Sequence, residues 1–183
     1  MTPAHQGRPL RAAVALFAVV LAGLALAATA TVAGASPAKK TTERLVVRGE
    51  DTVLDAPCTP SGCEMQLGGG AFRGTLGTGG YTGSVEIDLA NAYDNGEGGK
   101  CAPIRADVDL GAGTPDRLAI TVWGDSCQDG AGNPATSSFT GTGVFAVKYG
   151  TGKYAGARGG GLFTSFEDAN DHERMTLIGH ITR

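Results

Sequence analysis

The chain has 183 residues, a formal net charge of −3, 42% apolar residues, only 6% aromatics and 30 glycines. A mildly acidic chain lacks the basic patches that nucleic acid and anionic membranes select, so neither is expected as a partner. The apolar fraction is ordinary for a globular domain, and the glycines predict many turns around that core.

In chain order, Arg8 and Arg11 precede the apolar run Ala12–Ala33, which ends in Ala33-Gly34-Ala35. That succession of charged, apolar and small residues predicts a secretory signal peptide over 1–35. An uncleaved anchor is the alternative, but no basic stop-transfer cluster follows. Removal leaves about 148 residues with a net charge near −5, no membrane span and the size of one domain. The polar stretch 36–43, SPAKKTTE, reads as a linker, and 44–183 as a single domain of a secreted protein.

From residue 44 onward the apolar residues alternate with period two, and no stretch carries a helical period. Strands are predicted at 44–50, 64–68, 71–76, 81–90, 137–150, 160–168 and 173–182, bounded by Gly, Pro, Asn or Asp. The segment 101–127 is the clearest hairpin. Ile104, Ala106, Val108 and Leu110 alternate with polar residues, as Leu118, Ile120 and Val122 do after the turn GAGTPD. Folding it so that partner numbers sum to 228 sets 110 against 118, 108 against 120 and 106 against 122. The same register sets Cys101 against Cys127, although the cysteines played no part in choosing it. Cross-strand neighbours are spaced as a disulfide requires, which predicts Cys101–Cys127 and leaves Cys58–Cys63 to close the loop CTPSGC. Eight or nine short strands with two disulfides predict an all-β fold, an antiparallel closed barrel of about eight strands.

Chemical signatures are sparse. GTGKYAG at 150–156 has neither the P-loop spacing nor a following helix to hold a phosphate. There is no G-x-S-x-G, and beyond the signal peptide only His172 and His180 are available to a triad. The acidic stretch FEDANDHE is dense in hard oxygen ligands but lacks the spacing of a calcium loop, and it reads as a solvated Asx-rich turn. No metal and no cofactor are expected. F-x-G-T followed by G-T-G-x-Y-x-G occurs in both 72–84 and 139–157, which two similar halves of a barrel would explain. The aromatics Tyr81, Phe145 and Tyr154 lie beside glycines that clear space on a strand face. That space is either filled by a ring or left as a ligand cavity.

Gly150, Thr151, Gly152, Tyr154, Ala157 and Gly159 resemble, in order, the G-T-G-x-[YF]-x-x-A-x-G segment of the allene oxide cyclase and dirigent barrels. Arg158 sits where dirigent-like sequences also place an arginine. The resemblance implies an eight-stranded antiparallel barrel with an apolar cavity. In that group the cavity controls the geometry of a lipid epoxide cyclisation or of phenoxy radical coupling. Three functions are carried forward. The first is binding of a small apolar molecule without turnover, with Arg158, Tyr154, Tyr81 and Phe145 as the binding residues. The second is a structural or cell-envelope interaction module with a filled core. The third is a cyclase- or dirigent-like enzyme in which Arg158 polarises the bound molecule.

Overall fold

The computed structural model describes residues 40–54, 58–130, 132 and 137–183. The expected signal peptide lies outside them. The strands are β1 (Thr42–Leu54), β2 (Cys63–Leu67), β3 (Ala71–Gly74), β4 (Gly77–Ile87), β5 (Tyr93–Asp94), β6 (Lys100–Leu110), β7 (Leu118–Gln128), β8 (Phe139–Gly150), β9 (Arg158–Glu167) and β10 (His172–Thr182). β1 pairs with β10, and antiparallel neighbours then run through β9, β8, β7 and β6 to β4. β2 and β3 follow one another between β4 and β1 and close the ring, so the circumference is an eight-strand antiparallel barrel. Closure leaves no long unpaired strand edge.

The strand expectations hold, with corrected ends. β1 begins at Thr42, inside the expected linker, and runs four residues beyond the expected end. Its partner decides this: the ladder to β10 extends from Thr42↔Thr182 to Thr52↔His172, so polar residues at both ends are paired despite lacking an apolar pattern. β4 starts at Gly77 and ends at Ile87, after which Leu89–Asn91 form a 3-10 turn that takes over the end of the expected strand 81–90. Asp88 caps that turn by accepting from the Asn91 amide at 3.2 Å. In the β6–β7 hairpin the pairs are Leu110↔Leu118, Val108↔Ile120, Ala106↔Val122 and Cys101↔Cys127, the register that the alternation predicts. Both expected disulfides, Cys101–Cys127 and Cys58–Cys63, are formed.

One end of the barrel is plugged. After β8 the chain enters a 3-10 turn, Gly152–Tyr154, and the buried Tyr154 ring joins Leu45, Leu110, Leu118 and Ile181 in the core. Its hydroxyl donates to the Leu76 carbonyl at 3.3 Å, in the β3–β4 turn diametrically across the ring of strands. The segment GTGKYAGARGGG is therefore the closing element of that end. Gly152, at φ 54°, makes the bend possible: a Cβ there would also stand 2.1 Å from an Asp116 carboxylate oxygen. The two similar segments are not equivalent halves. The first forms the β3–β4 hairpin with Tyr81 inside a strand, whereas in the second Tyr154 belongs to the turn.

Inside, glycine space is filled by rings. A Cβ on Gly70 would lie 2.3 Å from the Tyr81 ring, and one on Gly49 would lie 2.9 Å from it. Glycine at both positions lets this large side chain run along the wall, 1% exposed. Outside, Trp123, Val144, Leu162 and Ile178 are exposed and occupy directly paired positions on β7, β8, β9 and β10, forming an apolar row over four strands.

Candidate functional site

The other end of the barrel is hollow. There the C-termini of β1, β4, β7 and β9 meet the N-termini of β2, β6, β8 and β10 around a cavity of about 530 Å³. This is within the range of small-molecule sites. Alternation along the strands makes most of its wall apolar: Met65 and Leu67 from β2, Val85 and Ile87 from β4, Ala102, Ile104, Ala106 and Val108 from β6, Phe163 from β9 and Met175 from β10. Both disulfides border it, each tying two chain segments at the mouth where strand ends would otherwise fray.

The β9–β10 wall differs: Glu167 and Glu173 are among its lining residues, with Asp51 of β1 next to them in the sheet but not in the lining. Asp51 on β1 is paired with Glu173 on β10, and Glu173 with Glu167 on β9. All three positions are in phase with inward residues: Asp51 with Leu45 and Val47, Glu173 with Met175 and Leu177, Glu167 with Phe163. Three carboxyl groups thus form one row across adjacent strands, at a spacing where like charges repel. Burial pushes the Glu173 carboxyl up to about 7. The neighbouring Glu167 and Asp51 charges act in the same direction, and the Ser165 hydroxyl partly offsets them. Asp51 is also raised by burial, against hydrogen bonding from the Thr52, Gly70 and Gly68 backbone and from Tyr81.

Tyr81 completes the cluster. Its ring packs with Met175 over Gly49, and its hydroxyl lies against Asp51. Burial, and then the Asp51 and Glu173 charges, push its ionisation far above the normal range, so it is a neutral donor. Yet the Tyr81 hydroxyl and Asp51 Oδ2 are both buried without a partner of ordinary hydrogen-bond geometry. Of this cluster, Glu173 and Glu167 line the cavity, and Asp51 and Tyr81 are not among the lining residues. The arrangement can accept hydrogen bonds from a molecule in the cavity through the two glutamates, exchange a proton near neutral pH through Glu173, and shelter an apolar body against β4 and β6.

No family model, curated protein or solved structure matches the chain.

The residues expected to bind ligand are dispersed. Tyr81 and Phe145 are buried core side chains, and Tyr154 plugs the opposite end; none of the three is among the residues lining the cavity. Arg158 is exposed at the start of β9, beside a shallow surface depression formed with Val147–Gly150, Gly156 and Ala157. It is therefore not the cavity's cation. The acidic turn is the β9–β10 hairpin turn, in which Asp168 Oδ1 accepts from the Asn170 amide at 2.8 Å and the His172 amide at 3.3 Å. Among the described residues no group of three or more His, Cys, Asp or Glu is placed to hold a metal ion. His180 faces outward with Ile178 and Thr182.

The sequence reading placed Glu173 in the solvated acidic turn, whereas it lies on β10 in the cavity wall, and it passed over Asp51, although a signal for both was available. Each is an acid in phase with the apolar side of its own strand, Glu173 with Met175 and Leu177, Asp51 with Leu45 and Val47. A charge on the inner face of a barrel strand costs several kcal/mol unless something compensates it, which marks such a position as one to explain.

Proposed function

We propose that this protein is an exported barrel that binds one small, mainly apolar molecule in the mouth cavity. The observation that carries the reading is the cavity itself: about 530 Å³ of space bounded by apolar strand residues in a barrel whose other end is sealed by Tyr154. A filled barrel would have favoured a purely structural module. The disulfides suit an oxidising compartment, as an exported chain requires. The resemblance of residues 150–159 to the allene oxide cyclase and dirigent barrels supports the same reading, since those barrels also act through a cavity.

The test is native mass spectrometry of protein purified from its source, which should show a retained mass released on unfolding. A companion variant, Val85→Trp, places a large ring into the cavity from β4. Binding of a neutral apolar dye should weaken about tenfold or more while the fold and both disulfides persist. Dye binding unchanged in Val85→Trp would overturn the assignment of the cavity.

A second reading, a cyclase-like enzyme, is favoured by Glu173. A carboxyl group in an apolar cavity with an ionisation near 7 is matched to proton transfer at neutral pH. In that case the retained molecule would be chemically altered by the wild type and not by Glu173→Gln.

A further inference from the structure

We propose that the outer face of the barrel carries a second binding site, a polar groove across β2, β4, β6, β7 and β8 that takes a neutral oligosaccharide chain. The site lies outside the wall, goes beyond the mouth cavity and does not rest on that reading.

Two rows of paired outward residues build the groove. Gln66↔Ser84, Ser84↔Asp107 and Asp107↔Thr121 make one, and Thr82↔Asp109, Asp109↔Ala119 and Ala119↔Tyr149 make the other. Ser84 and Ala119 are small residues between the longer Gln66 and Tyr149, and a depression of about 420 Å³ results. Its apolar neighbours Leu67, Val108 and Ile120 are buried in the barrel core. The accessible lining is therefore mostly polar, unlike that of the mouth cavity.

A β-bulge in β8 gives a second, independent sign. Ala119 pairs with Tyr149 and the next residue, Ile120, with Val147, which leaves Lys148 as an extra residue. The bulge interrupts alternation, so that Lys148 and Tyr149, consecutive in the chain, both line the groove. Tyr149 is 44% exposed, and its hydroxyl accepts from Arg117 Nη2 at 3.5 Å. Arg117 also pairs with Asp109. Its backbone is held by the turn after β8: the Arg117 amide donates to the Thr151 hydroxyl at 3.1 Å, and the Thr151 amide donates to the Arg117 carbonyl at 2.9 Å. The glycine-rich turn that closes the barrel thus also fixes the groove's aromatic residue.

Charge decides the class of ligand. Asp107 accepts from the Thr121 hydroxyl at 2.6 Å and from Lys148 Nζ at 3.3 Å. The Thr121 hydroxyl, aided by Lys148 and Arg105 against the cost of burial, holds the Asp107 carboxyl below the usual carboxylate range, so it remains an acceptor. With Asp107 matched by Lys148 and Asp109 by Arg117, neither a phosphate nor an ammonium ligand finds an uncompensated countercharge. Sugar hydroxyls both donate and accept. They can give to the carboxylates and take from the Gln66 amide and Lys148, while a C–H face of the sugar covers the Tyr149 ring. Lys148 and Tyr149 also line the depression beside Arg158, on the far side of the same ridge. Two depressions sharing one aromatic ridge suit a chain of linked units better than a single one.

The test titrates the disulfide-bonded mature protein calorimetrically with four neutral hexasaccharides: cellohexaose, maltohexaose, mannohexaose and chitohexaose. At least one is expected to bind with a Kd of about 1 mM or tighter. Tyr149→Ala should weaken that binding about tenfold or more, and Tyr149→Phe, which keeps the ring, should hold it within about threefold. Both variants should leave binding of the apolar dye in the mouth cavity unchanged. No binding by any of the four, or binding equal in the wild type and Tyr149→Ala, would overturn the groove and leave the cavity reading standing. Sugar binding lost in Val85→Trp but kept in Tyr149→Ala would place the sugar in the mouth cavity and overturn the groove as well.

Discussion

Replacing Glu173 by Gln should make the protein more stable at neutral and alkaline pH. The folded protein holds the Glu173 proton up to about 7, whereas the unfolded chain releases it near 4.5. Between those values the native state binds more protons than the unfolded state, so stability falls as pH rises through the window and levels off above it. The difference corresponds to a loss of about 3 kcal/mol from this one side chain. Asp51, raised by the same burial, adds a loss of the same sign. Glutamine removes the charge but keeps a polar group in a partly hydrogen-bonded place, at a cost of about 1 kcal/mol. The net expectation is a gain of about 2 kcal/mol above the window, or about 6 °C in Tm for a domain of this size. Below about pH 4.5 the gain should vanish, because wild-type Glu173 is protonated in both states. Urea unfolding of both proteins at half-unit intervals across the window gives the difference directly. A variant that never exceeds the wild type, or whose advantage does not grow with pH, would show that Glu173 is not held desolvated beside Asp51 and Glu167.

Three further outcomes follow from the same geometry. Replacing Cys101 and Cys127 together by Ser should cost about 3 kcal/mol, because the bridge spans 26 residues, and losing the five-residue Cys58–Cys63 link should cost about 2 kcal/mol; urea midpoints compare them. Gly161→Ala should destabilise by at least about 2 kcal/mol in the same assay, since its Cβ would meet the Ile178 carbonyl oxygen at 2.1 Å and Gly179 Cα at 2.5 Å, backbone atoms that cannot swing aside. Arg158→Ala should leave the affinity for a cavity probe within about twofold, because the side chain is exposed away from the lining; a tenfold loss in calorimetry would place it in the site after all.

Much of the barrel can be read locally. Alternation marks which side of each strand faces inward, and in the β6–β7 hairpin it fixes a register that brings Cys101 to Cys127 without further information. Turn residues locate most strand ends within a few positions, because a Gly- or Asn-rich break is a local backbone preference. The glycine-rich segment after β8 is likewise recognisable as a fold element, since no helix follows to make it a phosphate site.

The candidate site is a different matter, for a physical reason. Alternation assigns a side chain to the inside but gives no height along the barrel axis; height depends on the stagger between strands distant in sequence. Tyr81, Phe145 and Tyr154 are all inward or end-capping, yet they fall in the packed part and at the plug, and the space lies at the opposite mouth. Asp51 and Glu173 are 122 positions apart, and only the β1–β10 closure sets them side by side. The sequence by itself determined the strands, their inner faces and one disulfide-bearing hairpin, because those follow from period-two patterning and short-range pairing. Only the tertiary structure decided which end is sealed, where the cavity lies and that Asp51, Glu173 and Glu167 stand side by side with the two glutamates in its wall, because each of these depends on the register of strands joined across the whole chain.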